Sequence, residues 1–170
     1  VSSCLAKDGD RSSKTAVFEA IPFNSWQKLS EDLTNGTIDG AFITIPLALD
    51  LFSKGLDIQL LMFTHRGGSV LVKKRSKNIQ RISDFKNRTV LIPEVLSVQH
   101  MLLHRFLSSA GLWLGSYEDK KADVFKEQVS PCLMAEMLDQ DTDDDIAGFA
   151  MAEPYGFSAI EAGLADLVCK

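Results

Sequence analysis

The chain has 170 residues, 45% of them hydrophobic and 24% charged, with a formal net charge of −5. That length suits one domain or two small ones, and the acidic balance argues against a surface built to wrap a nucleic-acid backbone. No apolar run approaches the roughly 20 residues that span a bilayer, and Cys4, Cys132 and Cys169 are too widely spaced to define a disulfide framework or a zinc site.

The opening VSSC resembles the end of a bacterial lipoprotein signal, although no apolar region precedes it. TAVFEAIPF, residues 15–23, is rich in β-branched and aromatic residues and predicts a strand. NSWQKLSEDLTNG follows as a helix, with Asn24 as its cap, Gln27 three residues on, Trp26, Leu29 and Leu33 as an apolar stripe, and Gly36 as its stop. IDGAFITI predicts a short apolar strand; Pro46 then opens the helix LALDLFSK, and Gly55 caps it. LDIQLLMFT reads as the next strand and runs into the turn HRGG.

The alternation then restarts. SVLVKK predicts a strand, the basic run KKRSKNIQR a solvated loop, ISDFKN a short helix and RTVLIP another strand. SVQHMLLHRFLSSAG is the clearest helix: Ser97 caps it, Val98, Met101, Leu102, Phe106 and Leu107 supply its apolar face, and Gly111 ends it. ADVFKEQV predicts a strand, PCLMAEMLDQ a helix opened by Pro131, DIAGFAMA a strand and PYGFSAIEAG a helix. This βαβ order implies α/β architecture, with mostly parallel sheets covered by helices on both faces.

One pattern occurs twice. Gly40, Pro46 and Gly55-Leu56 recur at the same intervals as Gly148, Pro154 and Gly163-Leu164. Each copy reads as a buried strand, a proline-opened helix and a glycine cap, which points to two similar α/β lobes with a seam near Gly67-Gly68: residues 1–67 and 68–170.

Four segments in order now carry a family resemblance: NSWQKLSEDLTNGTIDG, GGSVLVKK, the strand–helix unit ending in SVQHMLL, and AEPY. Together they resemble the solute-binding proteins of bacterial importers for nitrate, bicarbonate, sulfonates and taurine. AEPY looks like the G-E-P-W of the nitrate branch, and SVQHMLL like its S-M-H-N-L-L-L. The resemblance implies two Rossmann-like lobes of the type II periplasmic binding protein kind, hinged to close on a small ligand. It also implies an extracytoplasmic monomer, with a lipid anchor as an alternative, that delivers its ligand to a membrane permease driven by an ATPase. Members of about 300 residues are usual, so the chain is expected to be incomplete at both ends.

In open α/β sheets, ligands bind at the carboxyl ends of strands, where helix N-termini present N–H groups. That rule selects Asn24 and Ser25, Thr44 to Pro46, His65 to Ser69 including Gly68, Pro93 to His100, and Ala152 to Tyr155. Ser97, Gln99 and His100 make the best oxyanion cradle, combining free N–H groups with an amide and an imidazole. The family's nitrate branch places a histidine at the position matching Gln99 and an asparagine at that of His100, so the pair is exchanged here. Thr44 lies between Ile43 and Ile45, where the nitrate branch has polar and aromatic contacts; a sulfonate or another ligand with an apolar body would suit such a pocket. Glu153 would bind an amine, bond the opposite lobe, or cap its own helix ahead of Pro154. His65 and Arg66 either pair with an anion or sit in a solvated turn.

Two metal-like patterns fail. His100 and His104 are four apart, but Met101 replaces the glutamate of HExxH. DQDTDDDIAGFA puts Asp144 where a calcium loop needs glycine and Ala150 where it needs glutamate, so it reads as a solvated loop. With no nucleophile, base and orienter in any recognisable motif, the expected function is binding without catalysis, cofactor or metal. Thiamine-pyrimidine synthases and menaquinone-pathway enzymes look similar in fold, and a ligand-sensing module of a regulator would look the same; these remain the alternatives.

Overall fold

The computed structural model describes residues 18–64 and 67–170. The chain divides into two compact units, Val1–Ile43 with Ala48–Ile58 and Thr44–Leu47 with Gln59–Lys170. Among the described residues no helix is long and apolar enough to cross a membrane.

The first unit carries helix α1, Trp26–Thr34. Its cap is Ser25, not Asn24: Ser25 has extended backbone angles and its hydroxyl accepts from Lys28 N–H at 3.4 Å. The expected pairing of Asn24 with Gln27 is therefore out of register, and Gln27 instead donates to Glu31 at 3.1 Å. Leu29 is the buried residue of α1. Helix α2 spans Ile45–Ser53 and ends as expected: Gly55 has φ +92° and Leu56 N–H reaches back five residues to Leu51 O at 3.1 Å, a bond that satisfies an otherwise open carbonyl of the last turn.

Three predicted strands do not form over their described residues. The described part of the first, 18–23, and the stretches 38–43 and 57–64 have no ladder partner among the described residues. A strand is stabilised by the strand beside it, so apolar composition alone does not make one. Leu60 and Leu61 are accordingly 71% and 87% exposed.

The second unit is built on a six-stranded sheet. Its strands are β1 Ser69–Lys74, β2 Thr89–Ile92, β3 Leu114–Gly115, β4 Val124–Gln128, β5 Ile146–Ala152 and β6 Ala165–Cys169, in the order β3-β4-β2-β5-β1-β6. The first four in that order run parallel, whereas β1 is antiparallel to both β5 and β6. The link from β1 to β2 holds only a four-residue 3₁₀ turn, Ile82–Phe85, instead of the covering helix that a parallel crossover usually needs.

Both faces of the sheet are buried, as expected. Leu71, Val90, Ile92 and Ala150 face one apolar cluster with Leu103 and Leu107 of helix α3, Val98–Ser108. Val70, Val72, Leu91 and Phe149 face the other, with Met134 and Leu138 of α4, Met134–Gln140, and Ala159 of α5, Tyr155–Glu161. The alternation Val90, Leu91, Ile92 between faces is the period of two that a doubly covered strand requires. The buried stripe of α3 departs from expectation in part: Leu107 points inward and Phe106 packs on the core as expected, but Leu103 joins them, while Met101 and Leu102 are 47% and 45% exposed. The helix is rotated so that the i, i+4 leucine pair meets the sheet.

The basic and acidic runs are exposed at most positions, as a solvated loop would be, but they also pair with each other. Lys77 is buried and its ammonium contacts the carbonyl and carboxylate of Asp144. Lys74 donates to Asp141 Oδ2 at 2.9 Å and to Asp141 O at 2.8 Å. Each loop supplies the other's counterions, 67 residues apart, and this pairing repays the removal of charge from water.

Candidate functional site

The carboxyl ends of β2 and β5 and the start of the antiparallel β1 share one edge of the sheet, since Ser69 pairs with Ala152. Gly68 and Ser69 therefore arrive beside Glu153, whose N–H donates to Gly68 O at 2.7 Å. From β2 the loop 93–96 leads into α3. There Ser97 is buried and extended: its hydroxyl caps the helix by accepting from His100 N–H at 3.1 Å and ties down the preceding loop by donating to Glu94 O at 2.6 Å. Met101 N–H is taken by Ser97 O. The Val98 and Gln99 N–H groups have no protein acceptor among the described residues, and they stand at the positive end of the helix.

Gln99 reaches across to β1, its Nε2 donating to Ser69 Oγ at 3.1 Å. Thr44 joins the same loop by donating to Leu96 O at 2.9 Å, while its oxygen accepts from Leu47 N–H at 3.4 Å as the cap of α2. Gly68, Ser69, Ser97, Gln99, Thr44 and Glu153 are thus neighbours or share hydrogen bonds along this edge. Asn24 and Ser25 belong to the other unit, and His65 and Arg66 lie outside the described residues, as does Cys4.

His100 is arranged differently from the sequence expectation. Its Nδ1 lies 2.5 Å from Val95 O, and a carbonyl only accepts, so Nδ1 carries the proton. Its Nε2 lies 3.1 Å from Lys126 Nζ, and an ammonium only donates, so Nε2 is bare. Both ring nitrogens are occupied, and the imidazole is neutral. Burial pushes its pKa below the ordinary histidine value; the nearby Lys126 and His104 charges act in the same direction, while the bond to Val95 O opposes them.

Glu153 is turned onto its own helix, its Oε2 accepting from Phe157 N–H at 2.9 Å; the Glu153–Pro154 peptide bond is cis. This is the capping alternative among the three read from sequence. Sequence reasoning missed Lys126 and Gln128, and it gave Glu94, inside the selected stretch Pro93 to His100, no role of its own. Glu94 accepts from Val95 N–H and from the Gln128 amide, both at 3.0 Å. The hint of Lys126 in the sequence was a lysine in the middle of the predicted strand ADVFKEQV, two residues after Val124. Among the described residues no group of three or more His, Cys, Asp or Glu is arranged to hold a metal ion.

The model of the NMT1-like family matches residues 5–166. The chain belongs to the NMT1-like family. No curated protein matches it. Among solved structures, this NMT1-like chain is similar to the ligand-binding component of an ABC-type import system from Staphylococcus aureus, a structure with zinc bound. Identity is 25% and the TM-score 0.63, covering 88% of this chain and 48% of that one. It is also similar to the alkanesulfonate-binding protein SsuA of Xanthomonas axonopodis pv. citri, bound to MOPS: 19% identity, TM-score 0.62, and again 88% and 48% coverage. The periplasmic nitrate-binding protein NrtA of Synechocystis PCC 6803 matches at 15% identity and TM-score 0.57, over 84% of this chain and 40% of that one. The NMT1-like chain spans about half the length of these structures. They share its α/β fold and are themselves binding proteins.

Proposed function

We propose that this NMT1-like protein is the solute-binding component of an ABC-type importer. It captures a small anion or sulfonate-like solute outside the cytoplasm and passes it to a permease, acting as a monomer and without catalysis. Residues 1–67 and 68–170 are read as parts of the two lobes of such a protein. The observation that carries the proposal is the carboxyl edge of the sheet, where the unpartnered Val98 and Gln99 N–H groups adjoin the Gln99–Ser69 pair. Those groups donate to oxygen atoms, and the helix dipole adds to the attraction for an anion. Glu153, bonded to its own helix, leaves that edge to the donors.

A thermal-shift screen tests this with nitrate, bicarbonate, taurine, alkyl and aryl sulfonates and aminopyrimidines. An anion at about 100 times its Kd adds roughly 2.7 kcal/mol, or about 5–10 °C for a chain of this size. Replacing Gln99 and Ser69 together by alanine should abolish the shift and leave the unliganded protein folded. Stabilisation by an aminopyrimidine and by no anion would overturn the reading.

A further inference from the structure

Beside the proposed anion edge lies the Lys126 ammonium. Lys126 extends from β4 beneath the first turn of α3, half-buried, with its ammonium 3.1 Å from His100 Nε2. Among the described residues no carboxylate lies within ion-pair distance of it. Glu94, the acidic side chain of the neighbouring loop, is committed to Val95 N–H and Gln128. His104, one turn along α3, is exposed and edge-on to Trp113 with ring centroids 5.8 Å apart. A cation at the N-terminal end of a helix meets the positive end of the helix dipole, an arrangement that costs free energy unless an anion joins it. A neutral histidine as the ammonium's neighbour orients it without cancelling its charge.

We infer that Lys126 is the residue that reads the ligand's negative charge, and that His100 is a positioning residue that aims the ammonium and does not touch the ligand. This rests on the solute-binding reading above and refines it: the ligand must carry a full charge, since a neutral isostere would leave the ammonium unpaired. The expected discrimination is that of one charge-assisted hydrogen bond, about 10- to 100-fold in affinity.

Isothermal titration of the full chain with 1-butanesulfonate, its uncharged analogue 1-butanesulfonamide, and nitrate tests it. Wild type should prefer the sulfonate to the sulfonamide. Lys126→Met should weaken the two anions about 10- to 100-fold and leave the sulfonamide unchanged, erasing the preference; Lys126→Arg should retain most of it. His100→Leu should cost less than Lys126→Met, and the double variant no more than Lys126→Met alone, because His100 acts only through the lysine. A folded Lys126→Met that keeps the preference overturns the Lys126 assignment alone, as does Lys126→Arg behaving like methionine. Additive losses overturn the role given to His100. If wild type binds neither these anions nor any other anion of the thermal-shift panel, the solute reading falls and takes Lys126 with it.

Discussion

Gly40 and Gly148 occupy equivalent places in the repeated pattern, and their surroundings could hardly differ more. A Cβ on Gly148 would come within 1.9 Å of the Val72 carbonyl and 2.8 Å of the Lys73 Cα, both backbone atoms of the adjoining strand. A Cβ on Gly40 meets nothing within 4 Å. Backbone cannot swing aside as a side chain can, so Gly148→Ala should destabilise by about 1–3 kcal/mol or more. Gly40→Ala should stay within about 0.5 kcal/mol of wild type, as exposed sites generally do. Urea denaturation of both variants checks the pair, and equal effects would show that the β1–β5 contact is looser than described. The repeat itself was legible from spacing; which glycine is compelled was not, because the compulsion comes from a strand more than 70 residues away in the chain.

At the scale of elements, α3 shows how a local signal fixes an end but not a rotation. Ser97 as cap and Gly111 as stop were readable, and the helix closes with Leu112 N–H on Leu107 O at 3.1 Å beside Gly111 at φ +74°. Ser97→Ala removes the acceptor for His100 N–H and should cost about 1 kcal/mol, within a usual range of about 0.5–2; the urea midpoint would report it. An unchanged midpoint would mean that another group or water takes over the cap. Which leucines α3 buries was not readable, since a helix with apolar residues at 101, 102, 103, 106 and 107 has more than one face to offer. Strands followed the same logic. β1, β2, β4 and β5 announced themselves by composition, whereas β3 has only two residues, and β6, five residues at the sheet edge with only Ala165 buried, carries a weak apolar signal. Residues 57–64 gave a strong one and formed no strand, because pairing is settled by distant chain. In the candidate site, Ser97, Gln99 and Ser69 were found by the strand-end rule, and Lys126 was not: it reaches the edge from the middle of β4, where the rule does not look.

For the molecule as a whole, the two rims of the sheet have opposite tasks. The rim opposite the candidate site is closed by Lys74, Lys77, Asp141 and Asp144. Burial alone would raise the Asp141 pKa, but the bonds from Lys74, Ile146 N–H and Asp145 N–H bring it below the ordinary carboxyl value. The bond from Lys77 brings Asp144 down likewise. A carboxyl whose native pKa lies below its unfolded one stabilises fully above the unfolded value, about 3.9, and loses that contribution as pH falls through the native value. Stability should therefore be level from about pH 5 to 7 with respect to these groups and decline below about pH 4. Asp141→Asn should lower stability at pH 7 by about 1–3 kcal/mol and flatten the acid decline. Urea midpoints between pH 3 and 7 for the two proteins test this, and parallel curves would remove Asp141 from the account.

The direction of β1 has a mechanical corollary. With β5 on one side and β6 on the other, both antiparallel to it, a pull on the residues leading into Ser69 acts along the strand and at right angles to its hydrogen bonds. The two ladders are then loaded in shear, every bond at once, and cannot be unzipped in turn. Tension arriving at the candidate site through this lead would meet the part of the sheet best able to bear it.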